Sequence, residues 1–192
     1  MRLAIFASGN GSNFQALVTN LREKKLAVTV DWLFCDQPDA YVLQRAETLK
    51  VPASQFSPKD FANKVAYEQE ILRQLHERKI DLVILAGYMR IVGPTLLTAF
   101  ENKIVNIHPS LLPDFPGLHG IRDAYEAGVA TTGVTVHLID AGVDTGPIIR
   151  QEKVEIEPTD TLEILEQKIH AVEHRIYPEI VEEMIKNGGY LK

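Results

Sequence analysis

The sequence predicts an α/β protein: a mainly parallel sheet covered by helices on both faces and followed by a long C-terminal helix. Three observations predict it. Strand-like and helix-like segments alternate at least four times in the first 110 residues. Leu82 to Ala86 and Ile104 to Ile107 are continuously apolar, as strands buried on both faces are. No linker, repeat or low-complexity segment interrupts the pattern, so the 192 residues, 45% of them apolar, read as a single domain, 1–192.

Each element has a local reason. Leu3 to Ala7 is a short apolar run that ends at Ser8-Gly9-Asn10-Gly11. Phe14, Leu17, Val18 and Leu21 then recur at helix spacing, giving strand, glycine-rich turn and helix. Ala27 to Phe34 is strand-like and is broken by Asp36-Gln37-Pro38-Asp39. Residues 39–49 read as a helix, and Val51 to Ala53 as a short edge strand. Asp60 is expected to cap a helix over 60–78, with an apolar face of Phe61, Val65, Ile71, Leu72 and Leu75. A short helix starts at Pro94, and another covers Ile121 to Ala127. Gly133 to Ile139 alternates, which predicts a strand with Thr135 and His137 on a less-buried face. Ile148 to Ile156 is a strand pair or one bent strand. Thr159 or Asp160 caps the terminal helix, which stops at Asn187-Gly188-Gly189.

Composition excludes several classes. Lys plus Arg is 20 against 26 for Asp plus Glu, a formal net charge of -6 that argues against a nucleic-acid partner. The one cysteine, Cys35, has no internal disulfide partner, so a cytoplasmic protein is the expectation. No apolar stretch is long enough to span a membrane, and the first apolar run is too short for a signal peptide.

Parallel sheets bind ligands beyond the carboxyl ends of their strands. Ser8 to Asn13, Ala86 to Ile91 and Asn106 to Pro113 all follow strands and should converge there. In the first, Gly9 and Gly11 let the backbone turn, and a helix N-terminus with Ser12 and Asn13 offers donors to a phosphate. Phe14 stands where a dinucleotide motif needs its third glycine, and no Gly-Lys-Ser/Thr ending follows, so a lone phosphate fits best. The plain alternative is a glycine turn with Ser12 or Asn13 capping the helix. Asp36, the residue a dinucleotide's ribose would need, lies in a polar turn with Pro38.

Asn106 and His108 share one side of a strand. Asp144 lies in a loop shaped by Gly142, Gly146 and Pro147, where a carboxylate can orient a histidine and stabilise its charged form. The trio could polarise a carbonyl and neutralise an oxyanion; its plain alternative is a scaffold for the turn around Pro109 and Pro113. Asp140, the competing carboxylate, reads as a turn cap. His108, His119 and His137 lack the spacing of a metal site, so none is expected. Ser110 and Cys35 are poorly set as nucleophiles. Direct transfer between two bound substrates remains. Leu85, Met89, Ile91, Val92 and Val143 could clasp a flat ring, with Arg90 in the same loop.

At these residues the sequence resembles a known family. ASGNGSNF (7–14), LVILAGYMRI (82–91), VNIHPSLLPDFPGLHG (105–120), GVTVHLIDAGVDTGPII (133–149) and HAVEHRIYP (170–178) are similar to the folate-dependent phosphoribosylglycinamide formyltransferases, in register along essentially the whole chain. The resemblance implies the Rossmann-like formyltransferase fold, a doubly wound sheet with a long C-terminal helix. It implies 10-formyltetrahydrofolate as donor and the amine of glycinamide ribonucleotide as acceptor. Asn106, His108 and Asp144 match the catalytic residues. Gly11, Ser12, Asn13 and Glu173 match the ribonucleotide site. Lys64, Met89, Arg90, Ile91, Val92 and Asn106, with Ile139, Asp140, Ala141, Gly142 and Val143, match the folate pocket. His119 and His137 match supporting histidines. Lys64 stands where an arginine is common, and His170 replaces a different polar or cationic residue near Glu173. The expected partners are small molecules only, with no nucleic acid, membrane or metal, in a monomer or weak homodimer. Residues 1–100 read as the phosphate-binding half and 101–192 as the catalytic and folate-binding half. A methionyl-tRNA formyltransferase would be expected to carry a further C-terminal domain, and a 10-formyltetrahydrofolate hydrolase a further N-terminal one. A ligand sensor would not need the catalytic trio, and a dinucleotide oxidoreductase would not carry Phe14.

Overall fold

A computed structural model of the protein describes residues 1–188. Gly189, the last residue of the expected helix stop, lies outside the described residues. The chain runs β1 (Arg2–Ala7), α1 (Ser12–Glu23), β2 (Thr29–Cys35), α2 (Val42–Thr48), β3 (Ala53–Gln55), α3 (Lys64–Glu77), β4 (Leu82–Leu85), α4 (Pro94–Ala99), β5 (Ile104–His108), α5 (Gly120–Glu126), β6 (Thr131–Leu138), β7 (Ile148–Glu155) and α6 (Leu162–Lys186). The strands form one seven-stranded sheet in the order β3-β2-β1-β4-β5-β6-β7. From β3 through β5 the neighbours are parallel, and β6 and β7 join antiparallel. The chain winds outward from β1 to β3 and then returns to β4 on the other side of β1. That reversal is the switch point where a crevice opens at the carboxyl ends.

Strand alternation sorts the core into two layers. Leu3, Ile5 and Ala7 of β1 pack with Phe14 and Leu17 of α1 and with Ile169, Ile176 and Ile180 of α6. Ala4 and Phe6 pack on the other face with Trp32 and Phe34 of β2, Tyr67 and Ile71 of α3 and Leu96 of α4. The same parity continues in β5. Val105 and Ile107 belong to the α1–α6 layer and Ile104 to the α3–α4 layer. Asn106 and His108 therefore share the side of Ile104.

Several local expectations are corrected. The third helix begins at Lys64, capped by Asn63, whose Oδ1 accepts from the Ala66 N–H at 2.9 Å. Asp60 instead closes a capping box with Ser57 on a separate 3-10 turn, Pro58–Asp60. Val65 is 55% exposed, and Tyr67 takes its place on the buried face. Thr135 and His137 are fully buried rather than on a wetter side. The loop after β5 covers Thr135, whose Oγ1 donates to Ser110 O at 2.6 Å and accepts from the Leu112 N–H at 3.0 Å, while His137 lies against Asn106 and Asp144. Of the two forms expected for Ile148 to Ile156, the single bent strand is the one present, β7, with a register shift opposite Val136 and His137. Thr161, not Thr159 or Asp160, caps α6, and Asp160 accepts from Lys168 Nζ at 2.5 Å. The second strand starts at Thr29 rather than Ala27, and the edge strand runs on to Gln55.

Candidate active site

β5 ends at His108, and loop 109–119 folds back over that ring. The Phe115 carbonyl lies 2.8 Å from His108 Nε2. A carbonyl can only accept, so Nε2 carries a proton. Nδ1 is then the nitrogen that faces Asp144, 3.4 Å from Oδ2. That oxygen also accepts from the Gly117 N–H at 2.8 Å. The other, Oδ1, lies 3.6 Å from His137 Nε2. His137 Nδ1 donates to Leu138 O at 2.9 Å, and its Nε2 lies 3.2 Å from Asn106 Nδ2. At most one N–H of the Asn106 amide is committed there, and the other is available to a ligand. His108 and His137 are both buried.

Burial pushes the Asp144 carboxyl up. The His137 ring, the Gly117 N–H and the nearby His108 outweigh that and hold it below the ordinary carboxylate value. Asp144 is thus an anion at neutral pH, set against two imidazoles. Its backbone has φ 54, in the left-handed region that non-glycine residues rarely adopt. The loop imposing that conformation is tied from within. Asp140 Oδ1 accepts from the Gly142 N–H at 3.0 Å and from Thr145 Oγ1 at 2.7 Å. The Asp140 carboxylate therefore serves its own turn.

The glycine loop is built differently from its plain alternative. Gly11, with φ 78, occupies the cap position of α1, and no side chain caps the helix. Ser12 and Asn13 are its first helical residues. A Cβ on Gly11 would run into Val42, and the Val42 N–H donates to Gly9 O at 3.1 Å. Asn13 Nδ2 donates to Glu173 Oε2 at 3.0 Å, and His170 Nδ1 lies 2.9 Å from the same oxygen. Glu173 is 4% exposed. Gly11, Ser12, Asn13 and Glu173 line one cleft of ≈ 610 Å³ with His119, Arg122, His170 and His174. The uncapped first turn of α1 opens onto it, where a helix N-terminus favours an anion. Ile107 and Pro109 line this cleft too. Asn106 and His108 project from the opposite side of β5, so the cleft and the polar trio back onto one another across the end of that strand.

The third loop lies beside the trio. Leu85 and Val92 are buried, whereas Met89, Ile91 and Val143 are 57%, 60% and 50% exposed. Three large apolar side chains left in solvent at one sheet edge suit an apolar ligand face. Ile139 packs against the α3–α4 core layer, and Ala141 and Gly142 are exposed in the loop beyond it. The Arg90 guanidinium is turned to Asp36, with Nε donating to Oδ2 at 2.5 Å. Lys64 is exposed, its Nζ 3.8 Å from Glu68 Oε1. Glu68 is buried and accepts from the Gly93 N–H at 2.7 Å, directly after Val92.

Sequence reasoning missed two kinds of participant. The Phe115 carbonyl and the Gly117 N–H are backbone groups with no sequence signal. Asp36, in its polar turn with Pro38, is only 1% exposed. The rejected nucleophiles are indeed poorly placed. Ser110 is buried and its Oγ donates to Asp114 O at 2.5 Å. Cys35 is buried, and burial pushes its thiol up.

A doubly wound sheet with a cleft that opens on a helix N-terminus at its switch point and a carboxylate between two imidazoles at the end of β5 defines an α/β enzyme that acts on small molecules. Comparison with known proteins narrows the class. A family model described as formyl transferase matches residues 1–181. The chain belongs to the formyl transferase family and is a transferase. It is 50% identical over 184 residues to the phosphoribosylglycinamide formyltransferase of Bacillus subtilis (strain 168), covering 96% of this chain and 94% of that one. The crystal structure of phosphoribosylglycinamide formyltransferase from Bacillus halodurans superposes with a TM-score of 0.93 at 52% identity, covering 96% and 95% of the two chains. Glycinamide ribonucleotide transformylase 1 from Geobacillus kaustophilus gives a TM-score of 0.92 at 56% identity, with coverage of 95% and 97%.

Proposed function

We propose that this protein is a phosphoribosylglycinamide formyltransferase of purine biosynthesis, which moves the formyl group of 10-formyltetrahydrofolate to the amine of glycinamide ribonucleotide. The observation that carries this reading is the back-to-back placement of cleft and trio. An anion seated on Gly11, Ser12 and Asn13 puts the rest of an acceptor along the cleft, past Glu173, toward the end of β5. A folate laid along Met89, Arg90, Ile91 and Val92 and the loop Ile139 to Val143 approaches the same strand end, where Met89 also lines the acceptor cleft, with Lys64 at the rim. Asp140, Ala141 and Gly142 contribute to that wall through their loop rather than through the Asp140 carboxylate.

The chemistry follows from the groups at the strand end. The neutral amine attacks the formyl carbon, and negative charge develops on the formyl oxygen. His108, once its ring carries a proton on both nitrogens, donates from Nδ1 to that oxygen, and the free N–H of Asn106 donates beside it. Because Phe115 O occupies Nε2, Nδ1 is the nitrogen that can act, and Asp144 holds it by charge. Collapse of the tetrahedral intermediate breaks the bond from carbon to the folate nitrogen. The ammonium proton leaves toward Asp144 and passes to that nitrogen through water. The step uses no covalent enzyme intermediate. We place the enzyme in the cytoplasm, working on small molecules as a monomer or weak homodimer. No helix among the described residues is long and apolar enough to cross a membrane.

The test is formyl transfer with both substrates, on the intact protein and on His108→Ala. Loss of a preorganised oxyanion donor costs about 10²–10³ in kcat, so the variant should fall at least a hundredfold while its affinity for glycinamide ribonucleotide stays within a fewfold. Normal turnover by the variant, or loss of formyl from the folate at equal rate without the ribonucleotide, would overturn the reading.

A further inference from the structure

Asp36 is a carboxylate with almost no access to solvent, and neither the transfer chemistry nor either substrate wall uses it. Its partners explain its burial. Oδ1 accepts from Ser8 Oγ at 2.5 Å. Oδ2 accepts from Arg90 Nε at 2.5 Å and from Gln37 Nε2 at 2.9 Å. The Ser8 hydroxyl also accepts from the Met89 N–H at 2.9 Å, and the Ser8 N–H donates to Gly87 O at 2.9 Å. Ser8 is the first residue of the glycine loop, and Met89 and Arg90 belong to the apolar wall. Every bond in this set except that from Gln37 ties one of those loops to the other or to the carboxylate between them.

The arrangement is over-determined. A buried carboxylate must be fully hydrogen-bonded or it destabilises the fold. The Ser8 hydroxyl has one proton, spent on Asp36, so its lone pairs are what receives the Met89 N–H. If Ser8 moves, Met89 loses its acceptor and Asp36 loses a donor together. The bonds therefore exist as a set, and a displacement at the glycine loop reaches the wall without crossing the catalytic trio.

We infer that Ser8 and Asp36 are positioning residues that couple the two substrate subsites, so that filling the glycine loop stiffens the Met89–Arg90 wall and raises its affinity for folate. The inference rests on the assignment of those subsites made above. By linkage, folate must tighten the acceptor by the same factor.

Tetrahydrofolate, which has no formyl group to transfer, allows both ligands to be bound without turnover. In the intact protein, saturating glycinamide ribonucleotide should tighten tetrahydrofolate by about fivefold or more, a typical coupling between linked sites, with the reciprocal effect equal. In Ser8→Ala the two factors should drop to below about twofold, while the hydroxyl-retaining Ser8→Thr keeps more of the coupling than Ser8→Ala. Being a ratio, the factor is insensitive to a general loss of affinity. A measurement on the unaltered protein covers the case in which the variants do not fold: glycinamide ribonucleotide alone should slow amide hydrogen exchange severalfold at Arg90, which, unlike Met89, does not line the cleft itself. Unchanged exchange there, a factor of one in the intact protein, or undiminished coupling in Ser8→Ala overturns the inference and leaves the transferase reading standing. Failure of the intact protein to bind the ribonucleotide at all overturns the transferase reading instead.

Discussion

His170 shows how one side chain ties the fold to the site. It is half exposed on α6, one turn before Glu173, and its ring stacks on that of His174 with centroids 6.3 Å apart. The hydrogen bond to Glu173 raises its pKa, burial opposes the shift, and the charges of Glu173 and Glu166 add to the rise. His174, by contrast, is pushed down by burial, with Arg45 and His170 adding to the fall and Glu173 opposing it. Arg122 and His119 face the same cleft from α5 and the loop before it. A raised histidine stabilises the fold while protonated. That contribution is complete below the ordinary value near ~6.5 and disappears as pH rises through the folded value. His170→Gln should therefore be less stable than the parent in mildly acidic solution, with the gap in Tm closing on the alkaline side. The same cation faces the bound anion, so KM for glycinamide ribonucleotide should rise through that pH range in the parent and lack the step in His170→Gln. A Tm difference that does not change with pH would show that the Glu173 pair does not hold the proton.

The turn between β1 and α1 makes the sharpest prediction for an element. Gly9 and Gly11 look equivalent in sequence, but their surroundings differ. A Cβ on Gly9 meets nothing within 4 Å. One on Gly11 meets Val42 at side chain and backbone, at φ 78. Gly9→Ala should stay within about 0.5 kcal/mol of the parent in urea unfolding, as open surface changes do. Gly11→Ala should lose about 2–4 kcal/mol, from left-handed strain and overpacking together, and with it the grip on the acceptor; equal stability in the two variants would contradict this geometry. The strand-turn-helix at 3–21 was legible because its signal is local: an apolar run, a glycine break, then helical spacing. The common side of Asn106 and His108 was legible for the same reason, through the two-residue period of a strand. What stayed hidden depends on distant chain. Thr135 becomes buried only when loop 109–119 folds over β6, and His137 only when Asn106 of β5 and the Asp144 loop close on it. Asp36 becomes buried only because the 87–90 loop closes over the end of β2. Asp60 and Asp160 were misplaced as caps because Asn63 and Thr161 stand nearer the first turns that form.

Taken whole, the molecule does not divide where its sequence suggests two halves. Met89, of the proposed folate wall, belongs to residues 1–100, yet it lines a cleft together with Glu166, His170 and Glu173 of the later segment. Glu173 belongs to 101–192, yet it completes the cleft of the glycine loop. The packing is equally mixed. α6 lies on α1 and β1 in one core layer, and the buried Tyr177 hydroxyl of α6 lies 2.8 Å from Leu85 O and 3.0 Å from Val105 O, bridging β4 and β5. A fragment of residues 1–100 would keep β1 and α1 but lose the apolar surface that covers them, while its β4 edge would lie open. We therefore propose one cooperative unit. Its single tryptophan, Trp32, is fully buried on the α3 side and reports on the first half. Far-UV ellipticity draws on the helices of both halves, of which α6, 25 residues in the second, is the longest. In urea the two signals should trace one transition with one midpoint, because neither half retains a closed core once the other is lost. A Trp32 transition completed while part of the helical signal remains, to be lost at a higher urea concentration, would mean that residues 1–100 unfold by themselves, and the two sites would then rest on separable supports.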